Sequence, residues 1–375
     1  MGGMMVSVEQ ASRVSRVLDR PFTVGDLTVR NRIVMAPMTR TQSPNGVPGP
    51  DVAEYYARRA ANEVGLIVTE GTYVNRVAAS AYENVPHFYG EQSLAGWAHV
   101  VERVHQAGGR IIPQLWHTGA ARTAEEPPAE GPSGLALDGT PLGKAMTQQD
   151  IDEVVAAFAE AAAAAERLGF DGAELHGAHG YLIDNFLWSG TNRRTDSYGG
   201  DHASRARFAT EIVQAIRAAV SPGFPIFFRL SQWKAYNYQA RIAENPAELE
   251  QLLAPLAEAG VDAFHASTRR YWVPEFEGSE LNLAGWVKKL SGKPTVTVGS
   301  VGLDTEFTPA TGEGNQPGAG VTGIDQLLDR LERDEFDLVA VGRALLSNPD
   351  WASKALRGKL AETVPYDVSV LKSLN

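Results

Sequence analysis

A chain of 375 residues, 43% of them hydrophobic, is long enough to bury the core of one large α/β domain. Its formal net charge of −11 argues against nucleic acid as a partner, and its lack of cysteine excludes disulfides, a thiolate nucleophile and a thiolate-bound metal. No apolar run approaches the roughly twenty residues of a membrane span, and the N-terminal segment lacks an apolar signal stretch, so we expect a soluble, cytoplasmic protein without a membrane partner.

Taken in chain order, "PFTVGDLTVRNRI" predicts a short β-hairpin turning at Gly25-Asp26. Apolar strands follow at Arg32–Pro37, Gly65–Glu70 and Arg110–Leu115. The stretch His117–Met146 is long and rich in Pro, Gly and Ala, and is expected to form a lid over the site. Thr147 then caps a helix that Gly169 stops. Strands recur at Asp171–His176 and Pro225–Leu230, and Asn245 with Pro246 opens another helix. The last strands are Val261–Ala266, Pro294–Gly299 and Asp337–Gly342. Between the final two, Thr308–Gly320 is too rich in Gly and Pro to pack and reads as a mobile surface loop.

Near-continuous apolar runs suit parallel strands covered on both faces. Eight such runs with helical crossovers predict a (β/α)8 TIM barrel, a single domain over residues 1–375 with long βα loops. The hairpin would plug its N-terminal end. The other arrangement considered, a doubly wound open sheet, lacks the glycine-rich fingerprint that binds a dinucleotide.

In such a barrel the chemistry sits at the C-terminal strand ends. There the chain places Thr39, Glu70, Gln114, Trp116, His117, His176, His179, Tyr181 and Arg229. Strands seven and eight end in Gly299-Ser300 and Gly342-Arg343, the usual place for a phosphate in barrels. An arginine within an apolar strand, as Arg229 is, requires an acceptor or anion beside it. Uncharged donors around one buried cation suit a phosphorylated flavin, with its phosphate at strands seven and eight. His176 and His179 are also at metal-ligand spacing, with Glu70 or His265 as the further ligand needed, and a satisfied core pair is the plainest alternative.

The segments "NRIVMAPMTR", "QLWHTG", "ELHGAHGYLIDNFLWSGTNRRTDSYGG" and "VAVGRALLSNPDW" resemble the old yellow enzyme family of FMN-dependent ene reductases. The likeness runs in matching order from Pro21 to Trp351. It implies non-covalent FMN, with NAD(P)H as co-substrate and no metal. By resemblance, Pro37, Met38 and Thr39 line the flavin, Gly71 and Gln114 meet its pyrimidine ring, and Arg229 stands at its N1–C2 edge. Gly299, Ser300, Gly342 and Arg343 match the phosphate cradle. His176 and His179 match the pair that binds the oxygen of an α,β-unsaturated carbonyl or nitro compound. The implied reaction passes a hydride from flavin N5 to the β-carbon and a proton from Tyr181 to the α-carbon.

The loops "SQWKAYNYQARIAENP" and "STRRYWVPEFEGSE" depart from the better-known members and are bulky and aromatic. Tyr236, Tyr271 and Trp272 are therefore expected to line the substrate pocket with Trp116. The C-terminus lacks the aromatic tail that caps the flavin in some members, and Thr39 stands where some relatives carry cysteine. A homodimer is expected. Two other functions stay open: an FMN-dependent demethylase or dehydrogenase of small amines or ketones, and a cofactor-free barrel lyase or isomerase of a phosphorylated substrate.

Overall fold

The computed structural model describes residues 12–123, 125–235, 237–307 and 318–375. The hairpin is formed by β1 (Phe22–Val24) and β2 (Leu27–Val29), antiparallel across the Gly25-Asp26 turn. Gly25 adopts φ 56°, and a Cβ there would lie 2.4 Å from the carbonyl oxygen of Gly223, so no other residue fits. The next amide, Asp26 N–H, donates to that same carbonyl at 2.8 Å and fastens the turn to the barrel floor.

Eight further strands close the barrel: β3 (Ile33–Met35), β4 (Leu66–Tyr73), β5 (Ile111–Trp116), β8 (Ala173–His179), β9 (Ile226–Lys234), β10 (Ala263–Ser267), β11 (Thr295–Val298) and β12 (Leu338–Val341). The two-residue strands β6 (Glu130–Gly131) and β7 (Lys144–Ala145) form a separate ladder after β5. Neighbouring barrel strands pair in parallel, and β12 returns to β3. The larger helices are α1 (Pro50–Ala61), α2 (Glu91–Gln106), α3 (Gln148–Leu168), α4 (Leu182–Leu187), α5 (His202–Ala219), α6 (Pro246–Ala259), α7 (Leu283–Ser291), α8 (Asp325–Glu332), α9 (Arg343–Ser347) and α10 (Trp351–Leu356). No described helix is long and apolar enough to cross a membrane.

The predicted helix signals act as expected. Thr147 and Asp150 form a reciprocal capping box at the start of α3, and Gly169 ends it at φ 87°. Asn245 accepts from the Glu248 amide at the start of α6, with Pro246 at its first position.

Alternation along the strands divides the core in two. In β3, Ile33 and Met35 face the helices while Val34 faces the barrel axis. The axial set continues with Leu66, Val68, Ile112, Phe227, Ala263, Val296 and Leu338, and Val24, Leu27 and Val29 of the hairpin close it from below. The predicted plug is therefore in place. Each large apolar side chain buried there contributes roughly 1.5–3 kcal/mol.

Two loop expectations are corrected. The described part of the His117–Met146 loop lines no part of the central cavity. It packs instead on the turn after β8, where a Cβ on Gly180 would meet Leu137 at 2.8 Å, and it is pinned by buried His117 Nε2, which donates to Glu130 at 2.9 Å, and by Arg76, which clamps the same carboxylate at 2.7 Å. Of the expected mobile loop Thr308–Gly320, residues 308–317 lie outside the described residues. Its end is packed: Ala319 is buried and exchanges two backbone hydrogen bonds with Tyr366.

Candidate active site

Three strands run three or four residues past their predicted ends, and this carries polar groups up to the barrel mouth. β4 reaches Tyr73, β8 reaches His179 and β9 reaches Lys234. A cavity of about 350 Å³ opens there. Pro37, Met38, Thr39, Gly71, Gln114, Trp116, His176, His179, Tyr181, Arg229, Gly299, Ser300, Gly342 and Arg343 all line it. The expected residues Tyr271 and Trp272 do not. Tyr271 is buried behind the rim, where its carbonyl accepts from Asn282 at 2.8 Å, and the Trp272 carbonyl accepts from Arg330 at 3.1 Å. Both are held by the helix layer, which turns them away from the mouth. Tyr236 lies outside the described residues.

A polar layer crosses the barrel beneath the cavity. Register places Gly71 beside Gln114, Gln114 beside Glu174, His176 beside Arg229, and Arg229 beside His265. Gln114 Nε2 donates to Glu174 Oε1 at 2.8 Å, and His265 Nδ1 donates to Glu174 Oε2 at 2.7 Å. Burial pushes the Glu174 carboxyl up, but His265, Arg229 and Gln114 outweigh it and hold the group below its ordinary range. Burial lowers His265, which acts as a neutral donor. Neither Glu70 nor His265 joins the His-x-x-His pair: the Glu70 carboxylate accepts from the Arg40 and Thr41 amides at 2.8 and 3.4 Å. It thereby ties down the chain after Thr39, and burial raises its pKa to about 7. Among the described residues no three His, Asp or Glu side chains gather as metal ligands would.

Arg229 is the least satisfied cation of the layer. Its Nε is buried without a partner, and Nη2 makes only a long 3.4 Å contact with Ser267 Oγ. Burial lowers its pKa to about 10, which leaves it charged at neutral pH. A buried guanidinium with unused donors calls for an acceptor in the cavity above it.

His176 and His179 present their rings 5.2 Å apart, nearly perpendicular. His176 Nδ1 lies 3.4 Å from the Ala178 amide and can only accept there, so Nε2 carries the proton. Its ring stacks on Trp116, and the Tyr181 ring meets both at 4.8 Å. His179 Nε2 lies 2.7 Å from Ser267 Oγ, and its ring stacks on Trp233 at 4.3 Å. Burial, reinforced by the Arg229 charge, holds both imidazoles well below their ordinary pKa. Both are therefore neutral hydrogen-bond donors at neutral pH.

The turn carrying this pair is strained and clamped. His179 has φ 65°, unusual for a non-glycine residue, and Gly180 follows at φ 86°. The Gly180 amide donates to Asp184 Oδ2 at 2.6 Å, and Asn185 Nδ2 donates to the Gly180 carbonyl at 2.8 Å. Asp184 is ion-paired with Lys234 at 2.9 Å, both side chains being 0% exposed. Lys234 also donates to the Gln232 carbonyl at 2.7 Å.

At the far side, a Cβ on Gly299 would fall 2.7 Å from the Thr268 carbonyl oxygen, so only glycine leaves this wall open. Ser300, at φ 54°, donates to the Arg269 carbonyl at 3.0 Å, and Arg343 Nη2 donates to Ser300 Oγ at 3.3 Å. The residues fit FMN. The cavity lies within the usual ligand range of roughly 300–1,000 Å³. It offers Arg229 and Arg343 as cations, and Gly71 admits no side chain, since a Cβ there would lie 2.5 Å from the Trp116 ring.

Several lining residues escaped the sequence reading: Trp233, Ser267, Thr268, Arg269, Tyr366 and Leu371. Ser267 ends the sixth barrel strand, Thr268 and Arg269 follow it, and all three were findable by the strand-end rule. Tyr366 and Leu371 correct the reading of the C-terminus, which does reach the cavity. Arg40 holds it there through the Val370 and Ser373 carbonyls.

A parallel barrel whose mouth sets Gly299, Ser300 and Arg343 across from an unsatisfied arginine and neutral donors fits a flavin oxidoreductase of the barrel class. Comparison with known proteins agrees: residues 18–317 match the NADH:flavin oxidoreductase / NADH oxidase family, and the chain belongs to it, as a member of the old yellow enzyme group. It is 33% identical to an NADPH dehydrogenase of Bacillus velezensis, over 94% of this chain and 99% of that one. It is 32% identical to 12-oxophytodienoate reductase 7 of Oryza sativa subsp. japonica, over 91% and 88% of the two chains. It is also 33% identical over 90% of its length to an NADH oxidase of Thermoanaerobacter brockii, of which it spans only 50%. A solved structure of morphinone reductase in complex with tetrahydroNAD superposes with a TM-score of 0.78 at 29% identity, covering 94% of this chain and 93% of that one. The protein is an FMN enzyme that uses NAD(P)H as reductant.

Proposed function

We propose that the enzyme reduces the C=C bond of alkenes activated by a conjugated carbonyl or nitro group, acting as one catalytic unit over residues 1–375. The observation that carries this is the neutral pair His176 and His179, set beside Tyr181 over the same cavity as Arg229. FMN, when bound, supplies the two-electron transfer that takes a hydride equivalent from NAD(P)H and passes it to the acceptor.

The other parts belong to the chain. Pro37, Met38, Thr39, Gly71 and Gln114 hold the ring, and Ser300 and Arg343, with Gly299 and Gly342, hold the phosphate. Arg229 offers its unused donors to the ring edge that gains negative charge. His176 and His179 each donate an N–H to the acceptor's oxygen, where charge collects as the double bond is reduced. Tyr181 gives its phenolic proton to the α-carbon and recovers one from water. Trp116 packs behind His176 and Tyr181 and keeps both rings in place.

The test is the visible spectrum of the purified protein, followed through addition of NADPH or NADH and then 2-cyclohexenone. Flavin bands that bleach with nicotinamide and return with the enone support the reading. Bands that bleach but ignore enones and nitroalkenes overturn it and favour oxidation of small amines or ketones.

A further inference from the structure

A second cavity, of about 220 Å³, opens beside the first, in the loops that follow β9 and β10. The two share Trp233, Ser267, Thr268 and Arg269 as a common wall. The second gathers Arg241, Arg269 and Arg270, with Glu275 its one carboxylate among the described residues. None of the steps given above uses Arg241 or Arg270.

The three guanidiniums are unequally engaged. Arg241 donates to Glu275 Oε1 at 2.8 Å. Arg269 lies over the Tyr238 ring at 3.8 Å and donates to the Phe307 carbonyl at 3.3 Å. Arg270 Nε stands 3.9 Å from Glu306 Oε2, beyond hydrogen-bond reach, and its side chain makes no hydrogen bond among the described residues. Each guanidinium has five donors in a planar fork that matches phosphate oxygens. Cations grouped at this mouth also offset the repulsion that a chain of net charge −11 exerts on a polyanion.

The reductant poses a matching requirement. Its nicotinamide must reach the flavin inside the first cavity, and its phosphates must then lie outside it. We propose that the second cavity receives a phosphate group of NAD(P)H, bound by Arg241 and Arg270, with Arg269 on the wall between the cavities. This rests on the nicotinamide entering the flavin cavity, as the proposed function requires, and not on the identity of the acceptor.

The experiment follows flavin bleaching in the FMN-loaded enzyme by stopped flow, with no acceptor present. Arg270→Gln, Arg270→Lys and Arg241→Gln are compared with the parent over a range of NADPH and of NADH. The expected result is a five- to thirty-fold weaker apparent binding of reductant in both Gln variants, with the limiting bleaching rate retained and Arg270→Lys closer to the parent, as about 1–2 kcal/mol per lost charged contact implies. Weakening for both nucleotides assigns the pyrophosphate, and weakening for NADPH alone assigns the 2′-phosphate. Unchanged binding of both overturns the proposal. So does an effect confined to the acceptor half-reaction, which would mark the cavity as a site for an anionic acceptor. Should Arg241→Gln lose FMN or fail to fold, half-exposed Arg270 carries the test alone. Calorimetric titration of the parent with 2′,5′-ADP and ADP gives a readout free of turnover, and no binding of either counts against the site. Because bleaching needs no alkene, failure of the alkene reading leaves this result standing on its own.

Discussion

Neutral imidazoles at His176 and His179 follow from burial next to Arg229, and this has a signed consequence for pH. An unfolded histidine takes up a proton near pH 6.5 while these two resist it, so the unfolded chain binds more protons and gains on acidification. Stability from this source is present above about pH 6.5 and is lost as pH falls below it. The melting temperature should drop more between pH 7 and pH 5 in the parent than in His176→Asn with His179→Asn; equal slopes would mean the rings are not buried neutral. Replacing both by alanine should weaken phenol binding by roughly ten- to a hundred-fold, from two lost donors of about 1 kcal/mol each, while FMN stays bound. Glu70 shows the opposite sign. A carboxyl raised to about 7 costs stability as pH climbs from about 4.5 through 7, since the unfolded chain ionises first. Glu70→Gln keeps an acceptor for the Arg40 amide and should flatten that decline in a pH series of thermal melts.

At the scale of elements, the turn from β8 into α4 joins fold to chemistry. The left-handed His179-Gly180 step persists because Asp184, Asn185 and Ser231 bind its backbone; burial pushes the Asp184 carboxyl up, and its ion pair with Lys234 works against that push. Lys234→Met leaves that carboxylate buried without a partner and should cost about 3–5 kcal/mol in chemical denaturation. Lys234→Met combined with Asp184→Leu should recover part of that stability but not phenol affinity, because the Gly180 amide loses its acceptor. A double variant with full phenol affinity would show that the clamp does not position His179. This turn also marks where the sequence was readable and where it was not. Apolar, β-branched runs disclosed the strands, yet their ends were placed early. Ser231, Gln232 and Lys234 continue β9 as polar residues, because His179, the Ile242–Ala243 backbone and Asp184 replace water as their partners. Trp233 was hidden by the same early ending. Tyr271 and Trp272 looked like pocket residues by type, but α7 and α8 bind their backbone and decide their direction.

For the whole molecule, the repeat of apolar strand and amphipathic helix announces the barrel, and the fourth-strand motif announces its site. The Tyr366 and Leu371 contacts were not legible, since they arise only when the tail is drawn across the barrel by Arg40, far away in sequence. FMN binds the folded chain only, so removing it should lower the melting temperature; cofactor at a hundred times its dissociation constant contributes about 2.7 kcal/mol. An unchanged melting curve after FMN removal would mean that FMN does not bind the folded chain in preference to the unfolded one.

The hairpin plug reaches further than stability. With Val24, Leu27 and Val29 closing the floor and the axial side chains filling the barrel above them, the described residues leave the flavin cavity open at the C-terminal mouth. Whatever enters must leave by the way it came before the next visitor is admitted. On the proposed function, reductant and acceptor take turns there; double-reciprocal plots at several acceptor concentrations are expected to run parallel, with each molecule in excess inhibiting by standing in the other's place, and intersecting plots would overturn this.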